Sequence, residues 1–225
     1  MNRNLIVFTA GIALLVGGCK ALDTPTFQNN YSLYNREATK AELSNDWDSA
    51  RRRYFLALQN AEWAEEGKGV RSEFHYKLGR AEGASCYFDK AQLSLTTAYE
   101  MNNRMPEALG ELGRLNFAQG KSAQAIGYFD RAAAELAKSN MASRDPIGYA
   151  EILDDYKAAL LAANRSADAT RVGDQAAALR ASNSGKSAAM LRPPYGKLCA
   201  APKSYNFFCG DARRASTGAA LQASS

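Results

Sequence analysis

Few side chains in this chain have the types and spacing that chemistry requires. His75 is the single histidine. It has no cysteine or acidic neighbour at metal-ligand spacing, so no histidine-bearing zinc site is predicted. Asp154 and Asp155 are adjacent on a helical stretch. Neighbours on a helix point about 100° apart, so these two do not form a shared carboxylate dyad. No serine stands in a nucleophile elbow, and no glycine-rich phosphate loop occurs. The expectation is a protein that is not an enzyme, with no cofactor, no metal and no evident small-molecule substrate. What remains is four cysteines, Cys19, Cys86, Cys199 and Cys209, and a set of arginines and aromatics on helical stretches. Arginine and aromatic side chains together are the usual chemistry of protein recognition.

The elements that would position them repeat. Pro106 to Ala137 reads as two short amphipathic helices. Leu109, Leu112 and Leu115 fall on one face of the first, with Asn116 beside them, and Ala125, Phe129, Ala132, Ala133 and Leu136 on one face of the second. Gly120 punctuates the pair where a helix C-cap belongs. Two helices this short cannot bury a core alone, so the pair is expected to recur in a stack. It does. Leu78-Gly79, Cys86, Phe88, Ala91, Leu95 and Ala98 repeat it upstream at an offset of 34, from Leu78 to Leu112. Ala38, Asn45, Trp47, Ala50, Tyr54 and Ala57 precede that unit at an offset of 41, from Ala57 to Ala98, with an extra loop or extra helical turns over 64–72. Leu153, Tyr156, Leu160, Asn164, Ala169, Gly173 and Ala176 form a fourth pair at an offset of 44. There the insertion is 139–148, with Asp145 as the cap and Pro146 in the first turn of a new helix. Gly173 stands where an aromatic is usual. No strand-like alternation appears.

This order of large and small residues resembles the tetratricopeptide repeat (TPR). The resemblance implies an all-α fold, a right-handed superhelical stack of about four helix pairs over 31–182, whose first helices line a concave groove. Carried across register by register, the family's groove positions fall on Asn35, Thr39, Glu42, Tyr76, Arg80, Arg114, Phe117, Asp154, Ala158 and Leu161. Tyr76, Arg80, Arg114, Phe117 and Asn35 are the expected partner-binding residues. The two aromatics would act as anchors, and the two arginines could grip a carboxylate.

Residues 1–18 read as a signal segment, with Arg3 before the apolar run Leu5–Val16. Val16-Gly17-Gly18-Cys19 resembles the bacterial lipobox. That implies lipidation of Cys19, with 19–30 as a lipidated tether. Lys20 in place of an aspartate leans towards the outer membrane, with the domain facing the periplasm. From Lys20 to Ser182 there are 21 Lys and Arg against 22 Asp and Glu. From Asn183 onward there are 6 against 1. The basicity therefore belongs to the tail, which argues against a nucleic-acid-binding helical domain. The tail, 183–225, is rich in Pro, Gly and Ser. Cys199 and Cys209 flank Tyr205, Phe207 and Phe208, and an oxidising compartment would let those cysteines close a small loop. Cys86 would then be left as a buried thiol; its pairing with a tail cysteine is the alternative. Residues 192–210 are expected to cap the last helix, with disorder beyond.

The functional expectation is a lipid-anchored scaffold that binds a protein or peptide in its groove and aids assembly of a cell-envelope, pilus or secretion complex. The alternative is a structural component in which the basic tail bridges outer membrane and cell wall without a discrete groove ligand.

Overall fold

The computed structural model describes residues 24–103, 105–197 and 199. The signal segment, Cys19 and Cys209 lie outside the described residues. Among those described are nine α-helices: α1 (Thr24–Leu43), α2 (Trp47–Trp63), α3 (Lys68–Ala84), α4 (Phe88–Met101), α5 (Pro106–Ala118), α6 (Ser122–Leu136), α7 (Met141–Arg144), α8 (Pro146–Ala162) and α9 (Ser166–Ala181). The described residues contain no strand, and no helix there is long and apolar enough to cross a membrane.

The helices pack as hairpin pairs, α1/α2, α3/α4, α5/α6 and α8/α9. Successive pairs touch through α2–α3, α4–α5 and α6–α8, and the first helices of neighbouring pairs also meet, α3 on α5 and α5 on α8. The result is a two-layer all-α stack. Its periodicity is visible in the turns. Asn45, Cys86, Gly120 and Asn164 each take positive φ, at 57°, 69°, 74° and 58°. The next residue's N–H then reaches back five residues, Asp46 to Ala41, Tyr87 to Glu82, Lys121 to Asn116 and Arg165 to Leu160. That is the closure of a helix ending in a left-handed residue. The four turn residues are spaced 41, 34 and 44 apart, the offsets that the apolar pattern predicts.

Small residues bring the paired helices close. A Cβ on Gly79 would come within 2.7 Å of the Leu95 side chain, and one on Gly113 within 2.7 Å of the Phe129 ring. Phe129 is fully buried and stacks on Tyr156 of α8 at 5.7 Å between centroids, which couples the third pair to the fourth. In the fourth pair, Asp145 caps α8 by accepting from the Gly148 N–H at 2.9 Å, and Pro146 opens the helix. Ala169, Val172 and Ala176 are the buried residues of α9, while Gly173 lies against the Lys157 side chain.

One boundary differs from expectation. Residues 24–30, read as part of a flexible tether, are helical. Their neighbours explain it. Phe27 lies on Trp63 at 5.4 Å between ring centroids, and Gln28 and Tyr31 both donate to the Glu66 carboxylate at 3.0 Å. Two further turns of α1 are therefore held against the end of α2.

His75 lies in the middle of α3, beside a cavity of about 570 Å³ on the α2–α4 side, where Phe55 and Leu93 are exposed. Its Nδ1 is buried without a hydrogen-bond partner. Burial, and then the charge of Arg71, hold the imidazole pKa below its ordinary value of about 6.5. The folded state thus favours neutral His75. Its contribution is fully present above pH ~6.5 and is lost as pH falls through the lower folded value. Urea midpoints measured from pH 7.5 to 5 should fall more steeply for the wild type than for His75→Gln. Equal slopes would remove His75 from the acid response.

Candidate functional site

The concave side is built from α1, α3, α5 and α8. Tyr76, Arg80 and Arg114 converge there on one cavity of about 380 Å³. Met105, Met141 and Ile152 supply its apolar wall, and Glu73, Lys77, Glu107 and Arg144 its charged rim. Tyr76, Arg80 and Arg114 meet at this cavity, whereas Phe117, expected on the same groove face, does not line it. The chemistry of the three is not the predicted one.

Arg80 is 1% exposed. Its Nη1 donates to Glu42 Oε1 at 2.9 Å, and its Nε stands 3.4 Å from Glu111 Oε1, close enough for ion pairing but not aligned as a hydrogen bond. Its Nη2 donates to the Leu191 carbonyl, and the guanidinium carbon lies 5.6 Å from the centre of the Tyr76 ring. Arg114 pairs with Glu111 at 3.0 Å, with Asp155, and with Glu151 at 3.9 Å. Both arginines are therefore already ion-paired with the protein's own carboxylates, and neither is free to clamp an incoming carboxylate. Burial beside Glu111 pushes the Tyr76 hydroxyl well above its ordinary range, so it stays neutral. Tyr54 is held likewise beside Glu42, to which it donates at 2.8 Å.

The pairing follows a rule set by the repeats. Arg80 meets Glu111, and Arg114 meets Asp155. Arg114 is the repeat equivalent of Arg80, and Ala158 that of Arg114. Glu111 precedes Arg114, and Asp155 precedes Ala158, by the same three positions. An arginine on one first helix thus faces an acid one turn earlier on the next first helix, where inter-helix neighbours meet. Glu111 and Asp155 are the buried partners of the groove arginines that the groove positions missed. Their signal was available as an acid one helical turn before the groove position of the following repeat.

The other expected contacts fall elsewhere. Phe117 is half-buried against the core and does not line the cavity. Asn35 accepts from Lys77 Nζ at 3.1 Å and so buttresses the rim from α1. Asp154 pairs with Arg180 of α9, on the other side of α8 from Asp155. Leu161 is half exposed and outside the cavity. The divergence expected of Asp154 and Asp155 is what sends one to the last helix and the other to the groove.

The tail is the largest departure. Residues 189–197 do not cap α9. They run back along the concave face from the fourth pair to the second. The Ala189 N–H donates to Asp145 at 3.2 Å, the Leu191 carbonyl accepts from Arg80, and Arg192 pairs with Asp155. Tyr195 is buried and donates to Glu111 Oε2 at 2.9 Å. Its ring fills the space left by Gly83, where a Cβ would come within 2.6 Å of it. Cys199 then bonds to Cys86 at the turn after α3, with 5.7 Å between their Cα atoms. This corrects the expected Cys199–Cys209 loop and the expected free Cys86. The tail's path across the groove brings Cys199 to the buried turn of the second pair, and each sulfur can hold one partner. Peptide mapping without reduction should recover the Cys86 peptide joined to the Cys199 peptide, with both thiols resistant to alkylation in the unfolded, unreduced chain. A recovered Cys199–Cys209 link would reverse the assignment.

No family model matches this chain, and no curated protein does. Among solved structures it is similar to BtubC (BKLC) from P. vanneervenii, at 18% identity and a TM-score of 0.62, over 78% of this chain and 72% of that one. A structure of MamA aligns at 15% identity and a TM-score of 0.47, over 71% of this chain and 91% of that one. At such identities the likeness to BtubC speaks of architecture alone, and the architecture is a TPR-type helical stack.

Proposed function

We propose that this chain is a lipid-anchored, periplasm-facing scaffold of the outer membrane that holds a protein or peptide partner on the concave face of its helical stack, in the service of a cell-envelope, pilus or secretion assembly. The supporting observation is the cavity of about 380 Å³ itself, with its apolar wall of Met105, Met141 and Ile152 and its charged rim. A mixed concave site of that size is where a partner's side chain is most readily desolvated and oriented. The anchor rests on Val16-Gly17-Gly18-Cys19, and several acyl chains at about 0.8 kcal/mol per buried CH₂ would hold the protein at a bilayer.

The test must spare Arg80 and Arg114, because both support the fold. A photocrosslinking residue placed at Lys77, on the cavity rim, is expected to capture a discrete protein in intact cells, whereas one at Leu93, exposed on the opposite side, is not. Equal patterns from the two positions would sink the groove reading. For the anchor, Cys19→Ser should move the protein from the membrane to the soluble fraction; unchanged membrane association would remove the lipidation reading.

A further inference from the structure

The geometry points to residues 189–197 as an intramolecular ligand of the groove, and to an extended basic chain of the same chemistry, carrying an arginine with a tyrosine three residues on, as the external partner. This deepens the scaffold reading and rests on it.

The charges on the groove floor carry the argument. The helices place two arginines there, Arg80 and Arg114, against three buried carboxylates, Glu42, Glu111 and Asp155. The three share two arginines, which leaves the floor one net negative charge, and buried charge in excess of its counter-charge is costly. Arg192 of the tail supplies the missing counter-charge through Asp155. The tail also engages the floor as a bound peptide does. Its main chain accepts from Arg80 at Leu191, and the Tyr195 ring enters the slot at Gly83 while its hydroxyl reaches Glu111. Between the two anchors stand Pro193 and Pro194. Their fixed φ leaves little backbone freedom to lose on binding.

The segment is tied at both ends, by α9, which ends at Ala181, and by the Cys86–Cys199 bond. A short tether holds its ligand at an effective concentration of about millimolar. An outside chain therefore has to offer more than the tail does. The open cavity of about 380 Å³ beside residues 189–192 is where it can, by placing an apolar side chain against Met105, Met141 and Ile152.

The experiment uses the mature full-length chain carrying Arg192→Ala, Tyr195→Ala and Cys199→Ser together, which removes the tail's contacts and leaves every helical residue of the groove floor unchanged. The probe is a fluorescent peptide of residues 188–197, AAMLRPPYGK. Saturable binding to the variant is expected, with binding to the oxidised wild type weaker by about a hundredfold or more, as the tether's effective concentration implies. Replacing the arginine or the tyrosine in the peptide should weaken binding by about tenfold or more. Failure of the peptide to bind a folded variant overturns the inference. So does loss of the helical stack in the variant, since a segment the fold requires is a structural element and not a ligand. Either result, with the Lys77 crosslink still present in cells, sinks this inference alone. Loss of the crosslink with peptide binding intact sinks the scaffold reading instead.

Discussion

Arg80→Ala is expected to lower the unfolding free energy of the domain by about 3–5 kcal/mol, the usual cost of removing one partner from a buried ion pair. The reason lies in what the substitution leaves behind. Glu42 and Glu111 are nearly solvent-free, and Arg80 stands beside both. Without it, Glu42 keeps the Tyr54 hydroxyl but loses its arginine, and Glu111 is left to Arg114 and the Tyr195 hydroxyl. The Leu191 carbonyl also loses its donor. Arg80→Lys should recover part of the loss, since the charge remains but one ammonium cannot reproduce the planar fork that reaches Glu42, Glu111 and Leu191 together. Urea denaturation followed by circular dichroism measures both. A loss below about 1 kcal/mol for Arg80→Ala, the size typical of surface pairs, would show that the network does not bear on stability.

Phe129→Ala is expected to cost a similar amount, about 3–5 kcal/mol, by a different mechanism. The ring is fully buried, fits against Gly113 and stacks on Tyr156. Truncation opens a cavity between the third and fourth pairs, and the helix backbones on either side cannot collapse into it without breaking their own hydrogen bonds. Phe117→Ala serves as the control, because Phe117 is half-buried and only flanks the core. Its cost should stay near ~1 kcal/mol, in line with the smaller area it removes from water. Thermal unfolding of the two variants side by side checks the contrast. Equal losses would place Phe117 in the core and remove Phe129 from its central role.

Together these predictions separate two kinds of information in the chain. The helix pairs, their turns and their offsets were legible because each depends on residues within a few turns of one another. Leu112, Gly113 and Phe129 reveal a close helix hairpin by type and spacing alone, and Asn45, Cys86, Gly120 and Asn164 mark where each hairpin turns. Register also carries Arg80 onto Arg114 across neighbouring first helices, although it set Phe117 beside them and Phe117 does not line the cavity. The state of the two arginines was not legible. The pattern reads a groove arginine as available, whereas the fold sets an acid from the next first helix against each one. The start of α1 was missed for a related reason, since what makes residues 24–30 helical is a contact with Trp63 and Glu66.

The sequence by itself determined an all-α repeat stack and its register. Tertiary structure decided which charges neutralise one another, where the tail goes and which cysteine Cys199 meets. The physical reason is distance along the chain. Arg80 and Leu191 are separated by 111 positions, and the two bonded cysteines by 113. No local periodicity couples such positions. A basic tail with two prolines, a tyrosine and a cysteine is compatible with a cap, a membrane contact or a loop closed on itself. Only the folded stack, with one more buried carboxylate than arginine on its floor and a glycine-sized slot at position 83, makes the concave face its place.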